Sequence, residues 1–305
     1  MRFHFLPLLS VAWLAPLLAE ADSPAVIPLW PEGVPGLHED ASPEHTVNGR
    51  TTHVHHPSVT VYAPPQPNGT AVIYAPGGGY VRISAGENGG PETRRLNSLG
   101  VTVFVLKYRL NDYGHPAPLQ DMLRAVRLVR SRAAEWGVRP DRIGVLGGSA
   151  GAHLAGCAAT LWESPEGRTG AALDDVSARP DFAVLIYPVV TLQPPLAHKG
   201  SREALLGKQP TDEQAAALSL DRHVRKDTPP VILIATMADK SVPVENTLHL
   251  YQALRDAGVP AEMHVYAQGS HGNSLDPQYG PTARWPERVE EWMRHNGWLP
   301  TAAGK

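Results

Sequence analysis

Gly147-Gly148-Ser149-Ala150-Gly151 constrains this chain more than any other stretch. An apolar β-type run, Arg142 to Leu146, precedes it, and a small-residue helical run, Ala152 to Ala159, follows. A serine on a tight turn between a strand and a helix has its hydroxyl held clear of the sheet, next to a helix N-terminus that favours negative charge. Glycines two before and two after the serine let helix and strand pass closely. With 28 glycines in the chain, a bare G-x-S-x-G occurs easily by chance, so the reading depends on partners elsewhere.

Those partners have a required order. A serine hydroxyl becomes a nucleophile only when a base takes its proton, and the resulting imidazolium needs a carboxylate to orient it. On a mainly parallel sheet covered by helices on both faces, the acid and then the histidine follow later strands. The alternation along the chain predicts such a sheet, with strands at Ser58–Tyr62, Thr70–Ala75, Val101–Tyr108, Ile143–Leu146, Phe182–Tyr187, Val231–Thr236 and Ala261–Tyr266. Helical stretches lie between them at Glu87–Leu99, Leu119–Trp136 and Glu245–Ala257, and Thr282–His295 comes last. Asp239 follows the Val231–Thr236 run. Of 14 histidines, His271 is the one that stands just past the last strand between glycines. His153, four residues after Ser149 on the same helix, reads as a packing residue, and Asp121 as a first-turn helix acid.

Hydrolysis through such a serine also needs donors for an oxyanion. Pro76-Gly77-Gly78-Gly79-Tyr80 follows a strand and lacks the features of a phosphate-binding loop, so the amides of Gly78, Gly79 and Ala150 are the candidate donors. Tyr80, Tyr187 and Gly148 are the candidate pocket residues. Residues 163–180 and 188–228 read as insertions near strand ends, where substrate pockets lie.

The remaining features narrow the setting. Arg2 and His4, the apolar run Phe5–Leu18 and Ala19-Glu20-Ala21 read as a cleaved secretory signal peptide, the alternative being an uncleaved anchor. Residues 22–305 then form one catalytic domain, exported to the periplasm or beyond. Cys157 is the single cysteine, so no intramolecular disulfide can form, and its place in the helix after Ser149 reads as a small buried residue. A net charge of −3 without a Lys/Arg run gives no reason to expect nucleic acid or an anionic membrane as partner. Residues 22–57 look like a wrapping segment, and His45, His53, His55 and His56 within it read as a surface loop rather than a metal site.

Six stretches together resemble the secreted α/β-hydrolases related to acetylxylan esterases, including the bifunctional feruloyl and acetylxylan esterases (BD-FAE-like). They are Leu29–Gly36, Pro76–Tyr80, Phe104–Leu110, Arg142–Leu154, Thr228–Pro230 with Asp239–Asn246, and Ala257–Pro260 through His271-Gly272. The resemblance implies an α/β-hydrolase fold and ester hydrolysis without metal or organic cofactor. It puts Ser149, Asp239 and His271 on the triad positions and the glycine run on the oxyanion loop. It also implies an acylated carbohydrate or a small ester as substrate, with acetyl or feruloyl groups removed from xylan or a related polysaccharide. The chain departs from the family pattern at Gly148, where Phe is common, and at Ala152, Ala238, Asn273 and Ser274. Gly148 and Asn273 bear on the acyl pocket. Alternative readings are a general short-chain carboxylesterase, a peptidase of prolyl-oligopeptidase type, and a glycan-binding relative without activity.

Overall fold

The computed structural model describes residues 24–38, 42–272 and 275–301; the signal-peptide reading and the departures at Asn273 and Ser274 lie outside them. The strands are β1 (Ala25–Pro28), β2 (His45–Val47), β3 (Arg50–Thr52), β4 (Ser58–Tyr62), β5 (Ala71–Ala75), β6 (Ile83–Ser84), β7 (Thr102–Lys107), β8 (Ile143–Gly148), β9 (Phe182–Ile186), β10 (Val231–Thr236) and β11 (Ala261–Tyr266). The α-helices are α1 (Gly90–Ser98), α2 (Ala117–Ser131), α3 (Ala150–Thr160), α4 (Lys199–Leu206), α5 (Asp212–Ala217), α6 (Glu245–Asp256) and α7 (Trp285–His295).

The main sheet runs β1-β4-β7-β5-β8-β9-β10-β11. It is parallel from β7 to β11, with β4 and β1 added antiparallel at one edge. Its inner strands are apolar on both faces because both faces are covered. In β9, Ala183 and Leu185 join the core under α2, α3 and α6, while Phe182, Val184 and Ile186 join the core under α1 and α7. Phe182 stacks on Trp298 at 4.3 Å between ring centres. Each such fully buried side chain contributes roughly 1.5–3 kcal/mol.

Element ends differ from expectation where backbone chemistry intervenes. Leu119–Trp136 is not one helix: α2 ends at Ser131, and Ala133–Trp136 tightens into a 3₁₀ turn before Gly137. The last helix starts at Trp285, not Thr282, with Pro286 in its first turn, where a missing N–H costs nothing. Residues 22–57 do more than wrap. They supply β1 to the sheet edge, and β2 and β3 to a small ribbon completed by β6. Residues 163–180 pack along α2 through Gly167 and Asp174 and line no part of the cleft described below.

Asp121 is not a first-turn acid. It is the fifth residue of α2 and fully buried. Its carboxylate accepts from the Arg109 backbone N–H at 2.8 Å, from Arg109 Nε and Nη2 at 3.0 and 2.9 Å, and from Trp30 Nε1 at 2.8 Å. Arg109 Nη1 donates to the Pro35 carbonyl at 2.6 Å. This pair therefore ties the N-terminal segment, the loop after β7 and α2 together inside the core.

Removing one member of a buried ion pair leaves the other uncompensated. Asp121→Ala should cost about 3–5 kcal/mol in urea unfolding. Trp30→Phe, which removes one hydrogen bond to a charged group, should cost about 1.5–3 kcal/mol. Equal midpoints for wild type and Asp121→Ala would show that the pair does not hold the core.

Candidate active site

The turn after β8 carries Ser149 at φ 59° and ψ −124°, a backbone position that L-residues rarely adopt. Close packing explains why the turn is tolerated. A Cβ on Gly151 would lie 2.0 Å from the Ala75 carbonyl oxygen, so only glycine lets α3 approach β5 this closely. The Ser149 N–H donates to the Ile186 carbonyl at 3.0 Å, and its own carbonyl accepts from His153 N–H at 3.1 Å. The serine thus stands at the N-terminus of α3 with its hydroxyl in the cleft.

Asp239 lies three residues beyond β10 and His271 five beyond β11, both at the C-terminal edge of the parallel strands. Asp239 Oδ1 accepts the N–H groups of Ser241 and Val242 at 2.8 and 3.0 Å. Its Oδ2 lies 2.7 Å from His271 Nδ1, and His271 Nε2 lies 2.7 Å from Ser149 Oγ. Burial alone lifts the Asp239 carboxyl, but the bonds from His271, Val242 and Ser241 outweigh it and hold it below the ordinary carboxylate value. An ionised carboxylate only accepts. Nδ1–H therefore donates to Asp239, and Nε2 is free to accept the Ser149 proton. The three predicted residues form one continuous relay at the mouth of an open cleft.

Gly78, at φ +142°, has no room for a side chain, since its Cβ would meet the Arg82 carbonyl oxygen at 2.0 Å. Among the described residues the N–H groups of Gly78 and Gly79 bond no backbone carbonyl. Both glycines line the cleft with Ser149, and Ala150 is the first residue of α3. These amides are available for an oxyanion.

The predicted pocket residues separate. Tyr187, at φ 39°, lines the cleft and sets its ring edge-on to His271, with 4.9 Å between centres. Gly148 lies beneath it: a Cβ there would come within 3.1 Å of the Tyr187 hydroxyl oxygen. The ring thus occupies the space that a larger residue before the serine would take. Tyr80, expected beside the pocket, is buried in the core instead. Its hydroxyl lies 2.8 Å from His153 Nδ1, and its ring meets Tyr108 and His153 edge-on. His153 packs as expected. Its Nε2 donates to the Leu218 carbonyl at 2.8 Å, which leaves Nδ1 to accept from Tyr80. Cys157 is buried beside it, and burial raises its thiol far above the ordinary range.

The cleft also contains Tyr74, Glu92, Arg82, His198 and Ser241, none of which carried a local signal in the sequence. Tyr74 was indistinguishable from core, and Glu92 from a first-turn helix acid. His198 comes from the 188–228 segment, which does reach the cleft. The N-terminal histidines have other partners: His53 pairs with Asp112 at 2.8 Å and His55 with Tyr113 at 2.7 Å. Among the described residues no three His, Cys, Asp or Glu side chains converge as metal ligands, and no helix is long and apolar enough to cross a membrane.

A strained serine turn between β8 and α3, an acid after β10 and a histidine after β11, on a mainly parallel sheet, are the arrangement of an α/β-hydrolase. The chain belongs to the BD-FAE family, whose model matches residues 59–254. It is 33% identical to an acetylxylan esterase of Xylanibacter ruminicola over 215 residues, 69% of this chain and 42% of that protein. Endo-1,4-beta-xylanase B of Butyrivibrio fibrisolvens is 34% identical over 205 residues, 66% of this chain and 32% of its own length. The chain therefore spans less than half the length of these two relatives. A crystal structure of an acetyl ester-xyloside bifunctional hydrolase from Caldicellulosiruptor lactoaceticus is similar at a TM-score of 0.80 and 37% identity, over 92% of this chain and 100% of that one. A thermophilic esterase of Thermogutta terrifontis is similar at a TM-score of 0.70 and 25% identity, over 82% of this chain and 91% of that one.

The buried His153 has a pH signature. Desolvation lowers its pKa from 6.5 to about 4, so it folds neutral. As pH falls below 6.5 the unfolded chain takes up the proton first, and stability declines until the folded state also protonates near 4. The loss across that window should be about 3 kcal/mol. His153→Gln should flatten this part of the urea-stability profile, and an unchanged slope would assign the acid sensitivity to other groups.

Proposed function

We propose that this protein is a serine carboxylesterase that removes short acyl groups, acetyl above all, from xylan or a related polysaccharide. The observation that carries the proposal is the Ser149–His271–Asp239 relay, with 2.7 Å at each link, opening on a cleft lined by the glycine loop. In this reading His271 Nε2 takes the Ser149 proton as Oγ attacks the ester carbonyl. Asp239 stabilises the imidazolium through Nδ1–H. The amides of Gly78, Gly79 and Ala150 hold the oxyanion, each worth about 3–4 kcal/mol in the transition state. The carbonyl re-forms, the carbohydrate oxygen leaves with the proton from His271, and an acyl-serine remains. Water, deprotonated by His271, then attacks the acyl carbon. Acid is released and Ser149 recovers its proton.

The carbohydrate substrate is supported by the relatives, whose names include an acetylxylan esterase, a xylanase and an acetyl ester-xyloside hydrolase. Export through residues 1–21 fits a polysaccharide too large to enter a cell. Amino-terminal sequencing of protein recovered from the native host should begin at Asp22, and an intact Met1 would reject cleavage.

Acetate and ferulate release should be measured on acetylated and feruloylated xylans, with 4-nitrophenyl acetate in parallel. Ser149→Ala should lose on the order of 10⁴–10⁶-fold in kcat on every substrate, and Asp239→Asn on the order of 10⁴-fold. Turnover that survives Ser149→Ala would end the assignment. Ferulate released faster than acetate would reverse the acyl preference.

A further inference from the structure

The cleft encloses about 580 Å³, more than the Ser149–His271 relay needs, and one of its walls is polar in a way that relay does not use. Tyr74, on β5, and Tyr187, just after β9, both belong to the sheet face covered by α1 and α7. Glu92 stands in the first turn of α1. All three line the cleft together with Ser149. Among the described residues neither phenolic hydroxyl has a hydrogen-bond partner, and the Glu92 carboxyl has only its own backbone N–H.

Burial lifts the Glu92 carboxyl above its ordinary range, and its own backbone N–H and the Arg94 charge offset only part of that. The carboxyl in turn raises both tyrosines beyond what burial does, which fits three groups clustered on one wall. The three groups reach the open cleft, so a ligand seated against this wall takes them from water, and one that supplies partners in water's place is favoured over one that leaves them unpaired. The donor and acceptor inventory selects that ligand. A carboxylate only accepts, whereas each phenol both donates and accepts. Adjacent hydroxyls on one ring satisfy all three groups. An alkylammonium offers donors alone and leaves the phenolic hydrogens unpaired, and a hydrocarbon chain offers nothing.

We propose that Tyr74, Tyr187 and Glu92 form a subsite for a ring bearing adjacent hydroxyls, a sugar, and that Glu92 sets the preference for sugar esters over esters of simple phenols. This rests on the ester-hydrolase reading above. The subsite acts in binding and orientation, and the bonds made and broken at Ser149 are those already given.

The test compares kcat/KM for a monoacetylated methyl xyloside with that for 4-nitrophenyl acetate, in wild type, Glu92→Gln and Tyr74→Phe, after each variant is shown to melt cooperatively. The ratio of sugar ester to nitrophenyl ester should fall about tenfold in Glu92→Gln, as expected for a lost hydrogen bond to a charged group. It should fall several-fold in Tyr74→Phe, which carries the test alone if Glu92→Gln does not fold. A ratio unmoved in the folded variants overturns the subsite. Failure of the underlying ester-hydrolase reading shows differently, as turnover of both esters that survives Ser149→Ala.

Discussion

The site depends on how closely α3 passes β5. That approach admits no side chain at Gly151, and it forces Ser149 into a conformation that costs an ordinary residue about 1–3 kcal/mol. The cost is met by backbone bonds on either side of the turn, from Ser149 N–H to Ile186 and from His153 N–H to Ser149. The rest of the site follows from strand direction. β8, β10 and β11 run parallel, so the turns after all three emerge at one edge, and serine, acid and imidazole meet there although they lie far apart in sequence.

Carboxyl groups are placed in three ways in this molecule. Asp121 is surrounded by donors and serves as a structural knot. Asp239 is also satisfied, but one of its oxygens faces an imidazole whose other nitrogen reaches Ser149, which is the orienting position that the proposed relay requires. Glu92 is left without a side-chain partner. Local sequence alone does not rank the three acids. Their surroundings, supplied by strands and loops remote in the chain, separate a fastener, an orienting group and an open contact.

Much of the fold was legible because buried parallel strands read as short apolar runs, as β10 does within its predicted bounds, and the antiparallel β4 and the edge strand β11 match their predicted bounds as well. The order of Ser149, Asp239 and His271 was legible because the topology dictates it. Other features depend on tertiary context. β1 is four residues ending in proline and gains strand character only by pairing with β4. Tyr80 follows the glycine loop, as a pocket residue does, but its positive φ and its bond to His153 turn it inward. Asp121 has the helix-start neighbourhood of a first-turn acid, and only the positions of Arg109 and Trp30 show otherwise. Tyr74 and Glu92 reach the cleft through strand alternation and helix placement that no local motif encodes.

The knot at Asp121 also bears on where this protein can be cut. The family match begins at residue 59, yet Trp30 and Pro35 complete the shell around Asp121 and Arg109. Leu29 and Glu32 occupy the Arg124 guanidinium, and β1 shields the sheet edge at β4. In this chain the unit that packs as one piece is therefore larger than the matched stretch. A graft that started at Val59 would arrive with a hollow where an indole belongs and with an open strand edge beside it.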